Sequence, residues 1–191
     1  MLDITLPEIE QIVTEPDYAR FKMEPLEPGW GTTLGNALKK ILLNSLPGAA
    51  VTAIKLDPAP DDEGRLPQIE EDLIDIILNV KQLRLRYRGE QPQRMVLHTG
   101  SFANGRRVLT AADADMADGV EVLNPEVELL TLNKGRRDPL NVELMVERGY
   151  GYSPAEARMD STPLDMVPID AMYSPIARVN YVVERTRLGQ R

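Results

Sequence analysis

An α+β fold is predicted for this chain of 191 residues by three features of its sequence. Apolar residues recur at helical spacing in only two stretches. In several others they alternate with polar residues, the period of a half-buried strand. The connections carry the proline and glycine of hairpin turns, not the regular strand–helix alternation of a parallel sheet.

Taken in order, residues 8–24 read as a hairpin. Ile9–Val13 and Ala19–Met23 flank Glu15-Pro16-Asp17-Tyr18, where Pro16 pre-sets the dihedral of a tight turn. Glu24-Pro25-Leu26-Glu27-Pro28-Gly29-Trp30-Gly31 is broken by two prolines and is neither helix nor central strand. Thr32 or Thr33 then caps a helix to about Leu46, stopped by Pro47-Gly48. Leu34, Leu38, Ile41, Leu42 and Ser45 share one face, and Ala37, Leu43 and Leu46 widen it. So broad a stripe predicts two packing partners, one internal and one external. Ala50–Leu56 alternates as a strand and runs into an acidic, proline-rich loop, with a domain boundary near residue 52. Ile69 to Val80 is the second helix, with Glu70, Glu71 and Asp72 in its first turn. Strands follow at 84–88, 95–99, 127–132 and 141–147, then a Gly149–Tyr152 turn and a last strand over Ala177–Glu184.

Bulk composition narrows the function. Hydrophobic residues at 42% suffice for a sizeable core, and the lack of cysteine removes any disulfide or thiolate metal site. The first residues lack a basic start followed by an apolar signal stretch, and no run approaches a membrane span, so a cytoplasmic location without membrane contact is expected. A net charge of −8 opposes a general nucleic-acid surface, which needs a basic face to displace counterions.

No enzyme site emerges from the residues. Gly29, Gly31 and Gly35 before a helix, with Asp57 after the next strand, imitate a dinucleotide fingerprint. Pro25 and Pro28 stand where its buried strand should lie, so the glycines read better as a tight approach to a packed helix. His98, the single histidine, has no serine–acid or histidine partners around it in sequence. Asp61, Asp62, Glu63, Glu70, Glu71 and Asp72 lack the spacing of a calcium loop and read as a solvated acidic surface. Lys134–Arg137 is a short basic turn. No catalytic residue, cofactor or metal is expected.

The stretch from Glu24 to Thr52, EPLEPGWGTTLGNALKKILLNSLPGAAVT, resembles the signature of bacterial RNA polymerase alpha subunits. Glu71–Lys81, Leu109–Asp113, Val146–Tyr152 and Ile169–Val179 agree in order and spacing, so the resemblance covers nearly the whole chain. It implies a discontinuous dimerisation domain, residues 1–52 plus 168–191, made of an antiparallel sheet and a long helix. A mostly β domain is inserted at 53–167. The implied partners are a second alpha subunit, through Leu34, Leu38, Ile41, Leu42 and Ser45, and the beta subunit, through Lys39, Lys40 and Leu43. Asp75, Lys81 and Ser174 match positions implicated in beta-prime contacts. Nucleotidyl transfer belongs to the largest subunit in this family, so this chain is expected to be a non-catalytic scaffold that nucleates assembly.

Three departures qualify the resemblance. Lys39 and Lys40 replace the usual arginines and lose their planar fork. The Pro58–Pro67 loop replaces a usually apolar and aromatic segment. The sequence stops at Gly189-Gln190-Arg191, where family members continue into another helix, a linker and a DNA-binding domain. A weakened dimer and no direct DNA binding are therefore expected. The competing readings are a stand-alone oligomerising adaptor on the same fold and a small nucleotide-binding protein using Gly29, Gly31, Gly35 and Asp57. A thermal shift with nucleotides would single out the latter.

Overall fold

A computed structural model describes residues 6–67, 69–99, 105–133 and 139–185. The fold is α+β, mostly antiparallel strand with two helices. It divides into two compact units, one of residues up to Leu42 with those from Arg178 onward, the other Leu43–Ala177. The basic turn at Lys134–Arg137 and the terminal Gly189–Arg191 lie outside the described residues.

The first unit opens with the expected hairpin. Strand β1 (Glu8–Thr14) pairs antiparallel with β2 (Ala19–Glu24), and Glu15 and Tyr18 exchange backbone hydrogen bonds across the turn. Helix α1 (Trp30–Asn44) starts two residues before the threonine caps, because the turn at Gly29 (φ 87°) already aims the chain and Trp30 N–H bonds Glu27 C=O. No residue of α1 is buried.

The expected strand at Ala177–Glu184 does not form: these residues join no ladder among the described residues. Their side chains pack on the helix instead. A Cβ on Gly31 would meet Val183 Cγ1 at 2.8 Å, and one on Gly35 would meet the Tyr181 ring at 2.5 Å. The Tyr181 hydroxyl donates to Asn36 Oδ1 at 2.8 Å. Gly31 and Gly35, two of the three glycines that imitate a nucleotide fingerprint, are thus the floor under two side chains, and every strand pair among the described residues is antiparallel.

In the second unit, β3 (Pro47–Asp57) and β10 (Asn141–Tyr150) form the axis of the main sheet. Beyond β10 come β5 (Gln93–His98) and β7 (Ala114–Asp115); beyond β3 come β4 (Leu85–Tyr87) and β8 (Val120–Val122). A separate pair joins β6 (Arg107–Thr110) to β9 (Glu128–Leu132). The core fills the space between, with Ile54, Ile76, Met95, Leu97, Leu109, Leu130 and Leu144 almost fully removed from water.

Helix α2 (Leu73–Val80) is shorter than expected. Asp72 acts as its N-cap, accepting from Asp75 N–H at 2.8 Å, which fixes the start there. Upstream, Ile69 bridges Leu132, and the Glu71 carboxylate accepts from Thr131 N–H at 2.7 Å, so those residues serve the β9 edge.

The chain segments around residues 52 and 168 lie side by side. Strand β12 (Val167–Pro168) pairs with β3 through Val167↔Ile54 and Pro168↔Ala53, and Ile169 N–H bonds Thr52 C=O at 2.9 Å. The Arg158 guanidinium straps these two segments together, donating to the carbonyls of Ser153, Thr52 and Ile169. Strands β11 (Tyr152–Ser153) and β13 (Ala171–Met172) pair beyond it, with a kink at Gly151 (φ 59°) separating β11 from β10.

Candidate interaction surfaces

The first surface is α1. Its apolar stripe is set by helical spacing, yet Leu38 and Ile41 are 41% and 53% exposed, while Leu34, Leu42 and Leu43 are half-buried. Ser45, just past the helix, is exposed. Lys39 and Lys40 are exposed on the helix, and neither pairs with a carboxylate among the described residues. In the same unit Ile9 and Phe21 of the hairpin, and Val182, also face solvent. Such a density of uncovered large apolar side chains is unusual for a solvated face.

The second surface gathers at the C-terminal end of α2. Lys81 caps that helix, and its Nζ lies 3.4 Å from Asp170 Oδ2. Asp170 also accepts from Ala155 N–H at 3.0 Å, and that backbone donor, then Lys81 and the Tyr152 hydroxyl, holds its carboxyl below the usual range. The structure therefore brings Lys81 to the β12–β13 segment. Ser174 follows that segment, half-buried, its hydroxyl donating to Ile176 C=O at 3.1 Å and accepting from Ile176 N–H. Asp75 is exposed six residues before Lys81 on α2, at the opposite end of the helix, so the two do not stack at the three- or four-residue spacing that makes helix neighbours. Asp170 was missed from sequence; its signal was being the one charge between Val167 and Met172.

The acidic residues have structural work. Asp61 accepts from the backbone N–H groups of Arg65 and Glu63, which hold its carboxyl low. Glu70 takes a bidentate grip from Arg106 at 2.8 and 3.1 Å, and Asp72 caps α2. Among the described residues no group of acids and histidine is placed to hold a metal. His98 Nδ1 sits 2.7 Å from Asn141 Oδ1 on the neighbouring strand. Among the described residues, no helix is long and apolar enough to cross a membrane.

Fold and surfaces together define an α+β chain with a mostly antiparallel-sheet unit and a unit of hairpin and helix whose apolar stripe is partly exposed. Residues 64–174, inside the second unit, match the family model described as the RNA polymerase Rpb3/RpoA insert domain. The whole chain is 44% identical to the DNA-directed RNA polymerase subunit alpha of Roseiflexus sp. (strain RS-1), covering 57% of that protein. It is 44% identical to the same subunit from Symbiobacterium thermophilum and 42% to that from Moorella thermoacetica, covering 60% and 59% of them. This chain belongs to the bacterial RNA polymerase alpha-subunit family, and it spans somewhat under two thirds of the length of these relatives.

Proposed function

We propose that this chain is an assembly scaffold of bacterial DNA-directed RNA polymerase, pairing with a second alpha subunit and then holding the beta and beta-prime subunits in the cytoplasm. The observation that carries this reading is α1: its residues have the spacing of a packed helix and none is buried. In the reading, Leu34, Leu38, Ile41, Leu42 and Ser45 meet the second alpha subunit. Lys39 and Lys40 steer the beta subunit towards the apolar Leu43, because long-range attraction and burial come from different groups. Asp75, Lys81 and Ser174 serve beta-prime, with Lys81 held ready by Asp170. The catalytic chemistry is assigned to other subunits.

The division into a dimerisation domain of 1–52 plus 168–191 and an insert of 53–167 belongs to the same proposal. An inserted domain must leave and return at neighbouring points, and the Ile169–Thr52 hydrogen bond with the Arg158 strap supports this reading.

A tagged chain recovered from its source bacterium tests the proposal. The wild type should bring down both large subunits, and Lys40→Glu should recover less of them, with light scattering showing a mass above the monomer. Failure to recover either subunit, with a dimer intact, would overturn the recruitment reading.

A further inference from the structure

Strand β4 and its flanks read Leu83-Arg84-Leu85-Arg86-Tyr87-Arg88. Leu83, Leu85 and Tyr87 face inward on the core, while Arg84, Arg86 and Arg88 are all exposed. Alternation along an extended chain sends successive side chains to opposite faces, so the three arginines leave the backbone on one face, with a backbone spacing of about 6.8 Å between them. The backbone beneath them is held on both sides. Leu85 pairs with Ala49 and with Val122, Arg84 N–H donates to Asn124 Oδ1 at 2.7 Å, and Arg84 C=O accepts from Leu123 N–H at 2.8 Å.

Their pairing is incomplete. Arg86 reaches Glu121 at 2.9 Å, but neither Arg84 nor Arg88 meets a carboxylate among the described residues. Elsewhere in the same unit Lys55, Arg94, Arg106 and Arg107 each sit on an acid. In a chain carrying 30 acidic and 22 basic side chains, two unpaired arginines bracketing a third on a fixed strand stand out.

We propose that Arg84, Arg86 and Arg88 form a docking strip for an extended acidic segment of a partner protein. An extended peptide with carboxylates at alternate residues has the same repeat of about 6.8 Å, so each acid falls opposite one planar fork that binds it bidentately. A helical segment spaces its acids at the three- or four-residue interval, about 5–6 Å, and does not keep this register.

A nucleic-acid strand fits less well. Glu121 stands within the strip, the chain is acidic overall, and Tyr87, the one aromatic of the segment, faces the core and offers bases no stacking surface. Leu123, 47% exposed and bonded through its backbone to Arg84, offers an apolar anchor that a protein side chain would cover. The strip shares no residue with the surfaces assigned to the large subunits, so it stands or falls separately from them.

Fluorescence anisotropy on the full chain at low salt tests it with three labelled probes. They are a peptide of alternating glutamate and threonine, its isomer with all glutamates in one block, and an oligothymidylate of equal charge. The alternating peptide should bind tightest, and Arg84→Gln with Arg88→Gln should weaken it roughly fivefold. The unfolding midpoint should hold, because both side chains are exposed. Equal affinity for the two peptides overturns the proposal using the wild-type chain alone. Tighter binding of the oligothymidylate, no binding of the alternating peptide, or indifference to the double substitution would each overturn it too.

Discussion

Helices α1 and α2 have similar apolar spacing and opposite fates. In the eight residues of α2, Ile76 and Val80 are buried under the β6–β9 pair and the main sheet. In the fifteen residues of α1 nothing is buried, and Ile41 is more than half exposed. Spacing marks a helix face that wants cover but does not say who covers it. For α2 the cover comes from strands of its own unit, including β9, whose Thr131 N–H the helix's leading Glu71 also holds. For α1, Tyr181 and Val183 lie over Gly35 and Gly31, while Leu38 and Ile41 of the stripe stay exposed.

Alanine at one isoleucine of each helix is the sharpest way to break this comparison. Ile76→Ala should cost about 2–5 kcal/mol in urea unfolding, the range for a buried large-to-small change. Ile41→Ala should leave the unfolding of the isolated chain within about 0.5 kcal/mol, as for a surface change, and lower the light-scattering mass instead. A large stability loss at Ile41 would mean that the chain covers α1 itself.

The glycines sharpen the same contrast. A Cβ on Gly48 would lie 1.7 Å from the Tyr173 carbonyl oxygen, a backbone atom that cannot turn aside. Gly48→Ala should therefore destabilise the second unit by about 1–3 kcal/mol or more. At Gly35 the obstacle is the Tyr181 ring, 39% exposed and able to swing out. Gly35→Ala should be milder, and in a Tyr181→Ala background it should stabilise α1 by up to about 1 kcal/mol, the helix-propensity gain over glycine. Thermal melts of the four chains would separate these effects.

The smallest effect expected is on the acid side. Backbone donors lower Asp61, Asp113 and Asp170, while Arg106 lowers Glu70 and Lys55 lowers Asp165; all five lie in the second unit. Because these folded carboxyls bind protons less readily than the unfolded chain, their stabilisation is present above about pH 4 and is lost as pH falls through the depressed values. Lys55 runs the other way: Asp165 raises it, so its contribution fades only as pH climbs past about 10. The urea midpoint of the second unit should be flat between about pH 5 and 9 and drop below about pH 4. Asp113→Asn, which keeps one acceptor oxygen but removes the charge that Thr110 N–H and the Arg107 guanidinium meet, should lower the plateau slightly and flatten that drop.

Much of this was legible beforehand. The hairpin around Pro16, the strand pattern, the two helices and the family signature follow from periodicity and from residues with restricted dihedrals, which act within a few neighbours. The start of α2 was missed because Glu70 and Glu71, ordinary first-turn acids, are used by Arg106 and Thr131 across the fold. The Ala177–Glu184 segment failed for a related reason. Alternation predicts a strand only where an edge is open to it, and here Gly31 and Gly35 gave its side chains a helix to lie on. Asp75, Lys81 and Ser174 could be named from the signature, whereas the Lys81–Asp170 pair that brings Lys81 to the β12–β13 segment joins residues 89 apart.

The sequence by itself determined the α+β class, the family and the positions of the two apolar helix stripes, because these rest on local dihedral preference and residue order. Only the tertiary structure decided which stripe is buried, which carboxylates are already spoken for, and that Thr52 and Ile169 meet under Arg158. Those outcomes depend on which distant backbone donors and side chains come within hydrogen-bonding or van der Waals reach, and no local pattern encodes that.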